Sequence, residues 1–256
     1  MPADAAVTFP PWIRVGPWLL HPHVVFELLA YFVGFQLYLS RRRALGDHIA
    51  DSHRWSLVAA AAVGAVIGSR LLFWLEDPAS LLSAVRTTPE LLAGKTIVGA
   101  LLGGWIAVEV EKKRIGIREP TGDLFAVPLA IGIAIGRVGC FLTGLADGTY
   151  GSRTSLPWGV DLGDGILRHP TALYESLFLI GLAALLCRVA RRAPRGMTFK
   201  LFMAAYLSFR LVIDTLKPGL RIGLGMTTIQ WACAAGLAYY GWWLSRVRPH
   251  RLLAEL

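Results

Sequence analysis

Apolar residues along this chain fall into long blocks, with neither the two-residue alternation of a half-buried strand nor the single apolar stripe of a surface helix. Seven blocks stand out, at residues 24–40, 55–75, 96–110, 124–142, 172–189, 199–216 and 227–244. A helix needs roughly 17–25 mostly apolar residues to cross a bilayer. Barrel strands are shorter, about ten residues, and alternate in polarity. The pattern therefore predicts an all-α polytopic membrane protein with seven transmembrane helices. With no internal repeat or long linker, residues 1–256 read as a single integral membrane domain. The third block is short, and the fourth is interrupted by an arginine.

Composition agrees: 55% of residues are hydrophobic and only 17% charged, against about a quarter charged in soluble proteins. The net charge of +9 raises the question of nucleic acid, which the distribution of charge answers. In the seven-span arrangement, 41–43 and 54, 112–114 and 118, 188–200 and 246–251 hold most of the Lys and Arg on one side. The other side holds Arg14, Arg86, Lys95, Arg153, Arg168, Lys217 and Arg221, and three arginines (Arg70, Arg137, Arg210) lie inside spans. A nucleic-acid surface would gather its basic residues into one groove; here they alternate with span parity. Since cytoplasmic loops carry the excess of Lys and Arg, the N-terminus is expected outside and the C-terminus in the cytoplasm. The start, "MPADAAVTFPPW", has no basic segment followed by a short apolar core, so no cleavable signal peptide is expected. Residues 10–23, with two tryptophans, suit the outer headgroup region. Cys140, Cys187 and Cys233 lie in or beside apolar blocks, without the spacing of a disulfide framework or metal site.

Charge near a bilayer centre costs roughly 2.5–3.5 kcal/mol, so ionisable residues there are candidates for function. Glu27, Arg70, Arg137, Glu175 and the i,i+4 pair Arg210–Asp214 are all expected in the outer half of their spans. Structural ion pairing is the competing account: Arg210 with Asp214, and Glu175 with Arg70 or Arg137. Arg137 is surrounded by Gly132, Gly136 and Gly139, which permit close helix approach and access to backbone. Its planar guanidinium suits bidentate phosphate binding. The glycine-rich outer loop 143–171 ends at "RHPTALYE", which places His169 at the membrane surface and Tyr174 and Glu175 in the first turns of the fifth span. Arginines, carboxylates and a histidine at one depth point to a phospholipid headgroup.

The stretches "GRVGCFLTGLADG", "LPWGV" and "RHPTALYES" resemble the prolipoprotein diacylglyceryl transferase family, and "FRLVIDTLKP…GLGMTTIQW" extends the resemblance through the last spans. It implies transfer of a diacylglyceryl group from phosphatidylglycerol to the lipobox cysteine of a lipoprotein precursor, with release of glycerol phosphate. The site would face the outer side of a bacterial cytoplasmic membrane, and no metal or organic cofactor is implied. Arg137 and Arg210 would hold the phosphate. Glu175, Tyr174 and His169 would shape the headgroup site, and Gly136 and Gly139 would let lipid approach the backbone. The chain also departs from the family pattern. Cys140 and Thr143 stand where Asn is usual, Glu27 lies in an unfamiliar first-span sequence, and Val98 aligns with a third-span histidine. If that histidine is the base, this chain must use another group, with Glu27, Asp147 and His169 available. Cys140, three residues from Arg137, is either a small apolar core residue or a lipid-accepting thiol. Two alternatives to the transferase remain: a paralogue serving another acceptor, and a lipid-binding protein without the chemistry.

Overall fold

Local chemistry sets where the apolar blocks become helices. Pro22 opens the first helix, with the ring of His21 accepting the His23 N–H at 3.3 Å. Thr96 Oγ1 caps the third by accepting the Gly99 N–H at 3.3 Å. Asp123, at the start of the fourth, reaches the start of the sixth, where its carboxylate accepts the Phe199 N–H at 2.9 Å. The computed structural model describes residues 9–76, 78 and 94–246, so Arg86 lies outside the described residues. Among the described residues the helices are α1 (Pro22–Leu45), α2 (Asp51–Glu76), α3 (Ile97–Arg114), α4 (Asp123–Thr143), α5 (Thr171–Val189), α6 (Met197–Ile213) and α7 (Thr228–Arg246). Of these, α1, α2, α5, and α4 continued to Asp147 are long and apolar enough to cross a membrane.

The all-α expectation needs one correction. Ile13–Val15 (β1) pairs antiparallel with Trp18–Leu20 (β2), and Val160–Asp161 (β3) with Leu167–Arg168 (β4). Strands of two or three residues are too short to impose a period on the sequence. The first hairpin turns at Gly16, whose φ of 58° favours glycine. It leaves Trp12 and Trp18 56% and 69% exposed.

Helices pair through small residues. Gly64 and Gly68 of α2 face Gly99 and Gly103 of α3 so closely that a Cβ on Gly103 would lie 2.8 Å from Gly68 Cα. α1 and α4 approach at Gly34 and Gly132, where added Cβ atoms would meet the carbonyls of Pro128 and Ala30 at 3.5 and 3.4 Å. A core of fully buried side chains, including Leu179, Phe202, Met203, Leu207 and Cys233, joins α5, α6 and α7. The outward faces of α1 and α2 are apolar and open, with Leu28, Phe32, Val63, Val66, Ile67 and Leu71 exposed. Such a surface is a liability in water and matches lipid tails. Between the α1–α4 and α2–α3 pairs lies a cavity of about 2070 Å³.

Gly103→Val should destabilise the fold by about 3 kcal/mol, because its side chain meets backbone that cannot rotate away. Unfolding in mixed micelles checks this; a change within error would mean that the α2–α3 seam can open freely.

Candidate functional site

The first turns of α5 place Thr171, Ala172, Glu175, Ser176 and Leu179 on one buried face. Glu175 therefore points into the bundle and is fully buried. Its Oε1 accepts the Tyr206 hydroxyl at 2.6 Å, and its Oε2 meets Arg137 Nε at 2.9 Å and Arg210 Nη1 at 3.2 Å. Arg210 Nη2 donates to Asp214 Oδ1 at 2.7 Å. One carboxylate on α5 thus ties α4 to α6. Arg137 and Arg210 are 5% and 3% exposed. Among the described residues, Arg210 Nε and Asp214 Oδ2 have no hydrogen-bond partner. A buried polar group in that state is one that a ligand can satisfy.

Lys217 completes the cluster, with Nζ 3.7 Å from Asp214 Oδ1 and 4.0 Å from Glu175 Oε2. Burial, reinforced by Arg210 and Arg137, pushes its pKa down to about 7 against the opposing pull of Glu175 and Asp214. With Lys217 protonated, three cations face two carboxylates, a surplus of one positive charge. Arg137, Arg210, Asp214 and Lys217 all line the cavity.

A second group lines the same cavity nearby. Glu27 accepts the Tyr31 hydroxyl at 2.9 Å, pairs with Lys95 and lies 3.5 Å from His23 Nε2. The other face of the His23 ring meets Asp147, with Nδ1 3.4 Å from Oδ1. Cys140 Sγ adjoins both, and Arg137 Nη1 is 3.7 Å from it.

The remaining predicted residues separate. Arg70 lines the cavity and donates to the Gly94 carbonyl at 2.6 Å. Gly136 faces open space, whereas Gly139 packs on Phe26 of α1, so only Gly136 offers its backbone to the cavity. Thr143 spends its hydroxyl on the Gly139 carbonyl at 2.8 Å. Tyr174, one position before Glu175, points about 100° away around the helix. Its hydroxyl meets Trp158 Nε1 at 2.7 Å and His169 Nδ1 at 3.4 Å, away from the arginines. Glu175 pairs with Arg137 and Arg210 rather than with Arg70. Sequence reasoning missed Lys217, Tyr206 and His23. The first two were findable, because 206, 210, 214 and 217 recur at the spacing of one helical face. His23 carried no such signal.

Residues 10–245 match the family model for prolipoprotein diacylglyceryl transferase. The chain is similar to proteins named phosphatidylglycerol–prolipoprotein diacylglyceryl transferase from several bacteria. That of Bordetella bronchiseptica is 32% identical over 93% of this chain and 95% of its own length. The Geobacter sulfurreducens protein is 31% identical over 77% and 79%, and the Clostridium tetani protein 29% over 69% and 73%.

Removing the hub charge leaves two buried arginines short of a counter-charge, so Glu175→Gln should cost about 3–5 kcal/mol of stability. Denaturant unfolding in micelles tests this, and a loss under 1 kcal/mol would show the arginines to be solvated. Lys217 gives a pH signature. Its folded pKa, about 7, lies below the ordinary 10.5, so the unfolded chain binds more protons between those values and stability rises with pH there. The melting temperature of wild type should climb relative to Lys217→Met as pH goes from about 7 towards 10. Parallel curves would mean an ordinary, hydrated lysine.

Proposed function

The chain belongs to the prolipoprotein diacylglyceryl transferase family, and on that premise we propose how its site performs the reaction. The protein is a membrane enzyme that transfers a diacylglyceryl group from phosphatidylglycerol to a prolipoprotein. The acceptor is the thiol of the lipobox cysteine: its sulfur bonds to a glyceryl carbon, the C–O bond to phosphate breaks, and glycerol phosphate leaves with the electron pair. The phosphate passes from one negative charge to two as that bond breaks. Catalysis requires the second charge to be met by groups already in place.

The observation that carries this reading is the charge surplus around Glu175. A cluster of Arg137, Arg210 and Lys217 against Glu175 and Asp214 matches a phosphodiester monoanion and gains further as the leaving phosphate becomes a dianion. Arg137 and Arg210 are held from behind by Glu175, so they bind without reorganising. Lys217, when protonated, is the third cation and supplies the surplus that faces the phosphate. The cavity between the helix pairs, lined by apolar side chains of α1 and α2 such as Val24, Phe35, Leu57 and Val58, receives the acyl chains. The cluster lies at the end of the bundle that carries the first hairpin and the 143–171 loop, opposite the end rich in Lys and Arg. This distribution supports an outer-face site in a bacterial cytoplasmic membrane.

The alternatives, a different acceptor or lipid binding without chemistry, draw on one observation. Val98, aligned with the family's third-span histidine, is fully buried and offers no base.

Purified protein given phosphatidylglycerol and a lipobox peptide should add a diacylglyceryl mass to the peptide. Arg137→Ala should slow this at least about 100-fold, and Arg137→Lys should recover only part of it because the fork geometry is lost. Lipidation at the wild-type rate in Arg137→Ala, at equal abundance, would remove Arg137 from the mechanism. No mass gain in wild type, with lipid bound, would favour the binding protein.

A further inference from the structure

The cavity does not end at the Glu175 cluster. It runs on to the Lys- and Arg-rich end of the bundle, where α3, α6 and α7 all contribute to its wall. Along α3 the lining extends from Thr96 to Lys112, about 24 Å at 1.5 Å per residue. That is most of the roughly 30 Å of a bilayer's hydrocarbon core. The cavity therefore spans both leaflets, and a lipid entering from one of them fills only its own half.

The far end is furnished for a negative charge. Trp105, Val108, Glu109 and Lys112 recur at three- and four-residue spacing on one face of α3, and all line the cavity. Lys112 is 7% exposed, with its Nζ 2.9 Å from Glu109 Oε1. Lys200, in the first turn of α6, holds its Nζ 3.5 Å from the centre of the Trp243 ring. Among the described residues, Asp123 and Glu109 reach Lys200 through their fields alone. Tyr240, on α7, is 5% exposed and lines the same end, yet among the described residues its hydroxyl has no hydrogen-bond partner. Glu109 acts on Tyr240 as it does on Lys200, so these groups share one neighbourhood. A buried hydroxyl without a partner is unfavourable, and a bound acceptor removes that cost.

We propose that Lys112, Lys200 and Tyr240 form a second phosphate site, which holds the headgroup of an anionic phospholipid from the leaflet at the Lys- and Arg-rich end.

Charge supports the assignment. Arg54 lines this end too, but it is answered by Asp47 and donates to the Thr121 carbonyl at 3.0 Å. That leaves Lys112, Arg118 and Lys200 against Glu109 along the wall. One positive charge remains in surplus even when Asp123, whose carboxylate holds the Gly196 and Phe199 N–H groups, is counted. Such a surplus matches a phosphodiester monoanion, whose oxygens accept from ammonium groups and a phenol alike. The occupant is a lipid rather than a free anion because the polar end passes directly into apolar wall. Trp105 and Tyr239, with ring centres 4.8 Å apart, both line the cavity there, and aromatic rings suit the level between headgroup and chains. No arginine–carboxylate hub of the kind around Glu175 stands beside this site, so the lipid is bound and not cleaved. The transferase reading enters only in naming the lipid at the other end a donor.

A phosphatidylglycerol whose headgroup glycerol carries a photo-crosslinker reads the two ends separately. The full-length chain in detergent is titrated with it and irradiated, and the attachment is mapped by mass spectrometry of its peptides. Wild type should be labelled in two regions, one beside Arg137 and one beside Lys112 and Lys200. Lys200→Gln should raise the lipid concentration for half-labelling of the second region about tenfold, the effect of losing a charged hydrogen bond. Tyr240→Phe should raise it at least about threefold and leave the melting temperature unchanged, because the hydroxyl has no partner in the protein. Labelling beside Arg137 should stay the same in both variants. Arg188→Gln, which removes an exposed cation at the same end, should alter neither region. Unlabelled phosphatidylglycerol should displace the second label, whereas phosphatidylcholine and inorganic phosphate should not. No label in the second region, or label there at wild-type strength in both Lys200→Gln and Tyr240→Phe, overturns the site. Displacement by phosphatidylcholine as readily as by phosphatidylglycerol would make it a groove indifferent to charge. Displacement by inorganic phosphate would make it an anion pocket without a lipid, and either result overturns the proposal. Labelling of the second region in a protein that lipidates no peptide would uphold this site and count against the transferase reading alone.

Discussion

The structure depends on one carboxylate. Glu175 sits with no solvent exposure where three helices meet, and Arg137, Arg210 and Tyr206 all direct polar atoms at it. Neither arginine is tolerable alone at that depth, and a carboxylate without them is equally costly. Once assembled, the arrangement cannot easily relax, because moving either guanidinium leaves a charge unpaired. That rigidity is what a site for a developing phosphate dianion needs. Dipoles and charges fixed before the reaction add no reorganisation to the barrier. The stability held in the Glu175 contacts and the capacity to receive a phosphate are two aspects of the same geometry.

A buried polar centre reachable by a lipid also requires a bundle that is tight and open at once. Small residues resolve this. The glycine seam of α2 and α3, and the Gly34 and Gly132 contacts of α1 and α4, let each pair pack backbone against backbone. Four helices then occupy so little width in two pairs that a cavity of about 2070 Å³ remains between them. Gly136 serves the opposite purpose from its neighbours, since no atom lies within 4 Å of where its Cβ would be. It widens the cavity beside Arg137, while Gly139 three residues on closes the helix onto Phe26.

The helices were legible because length and hydropathy are one-dimensional properties. The predicted 55–75 became Asp51–Glu76 and the predicted 172–189 became Thr171–Val189, the extra residues being polar first turns and end turns that hydropathy undercounts. Arg137, Glu175 and Arg210 were legible as candidates because charge in a span is conspicuous. Their pairing was not, since Arg70 was an equal match for Glu175 until helix contacts were known. Tyr174 adjoins Glu175 in sequence, but adjacent positions on a helix face different directions, and His169, in the loop before that helix, meets the Tyr174 hydroxyl instead. Lys217 was hidden by its place just past a span, where a lysine is ordinarily a topological charge. His23 was hidden more deeply. It is separated by more than a hundred residues from Cys140 and Asp147 and meets them only because α1 packs on α4.

That packing gives Arg137 a position between two groups of side chains. Its Nε faces Glu175 at 2.9 Å, and its Nη1 faces Cys140 Sγ at 3.7 Å, so one planar group spans the phosphate cluster and the sulfur cluster. A planar guanidinium can face two groups in different directions at once and stay charged throughout. A lysine would place its charge at a single point and could not hold both contacts. An arginine in a glycine-lined span, with thiol on one side and carboxylate on the other, is thereby fixed in place before any ligand arrives, which is the preorganisation that stabilising a developing charge requires.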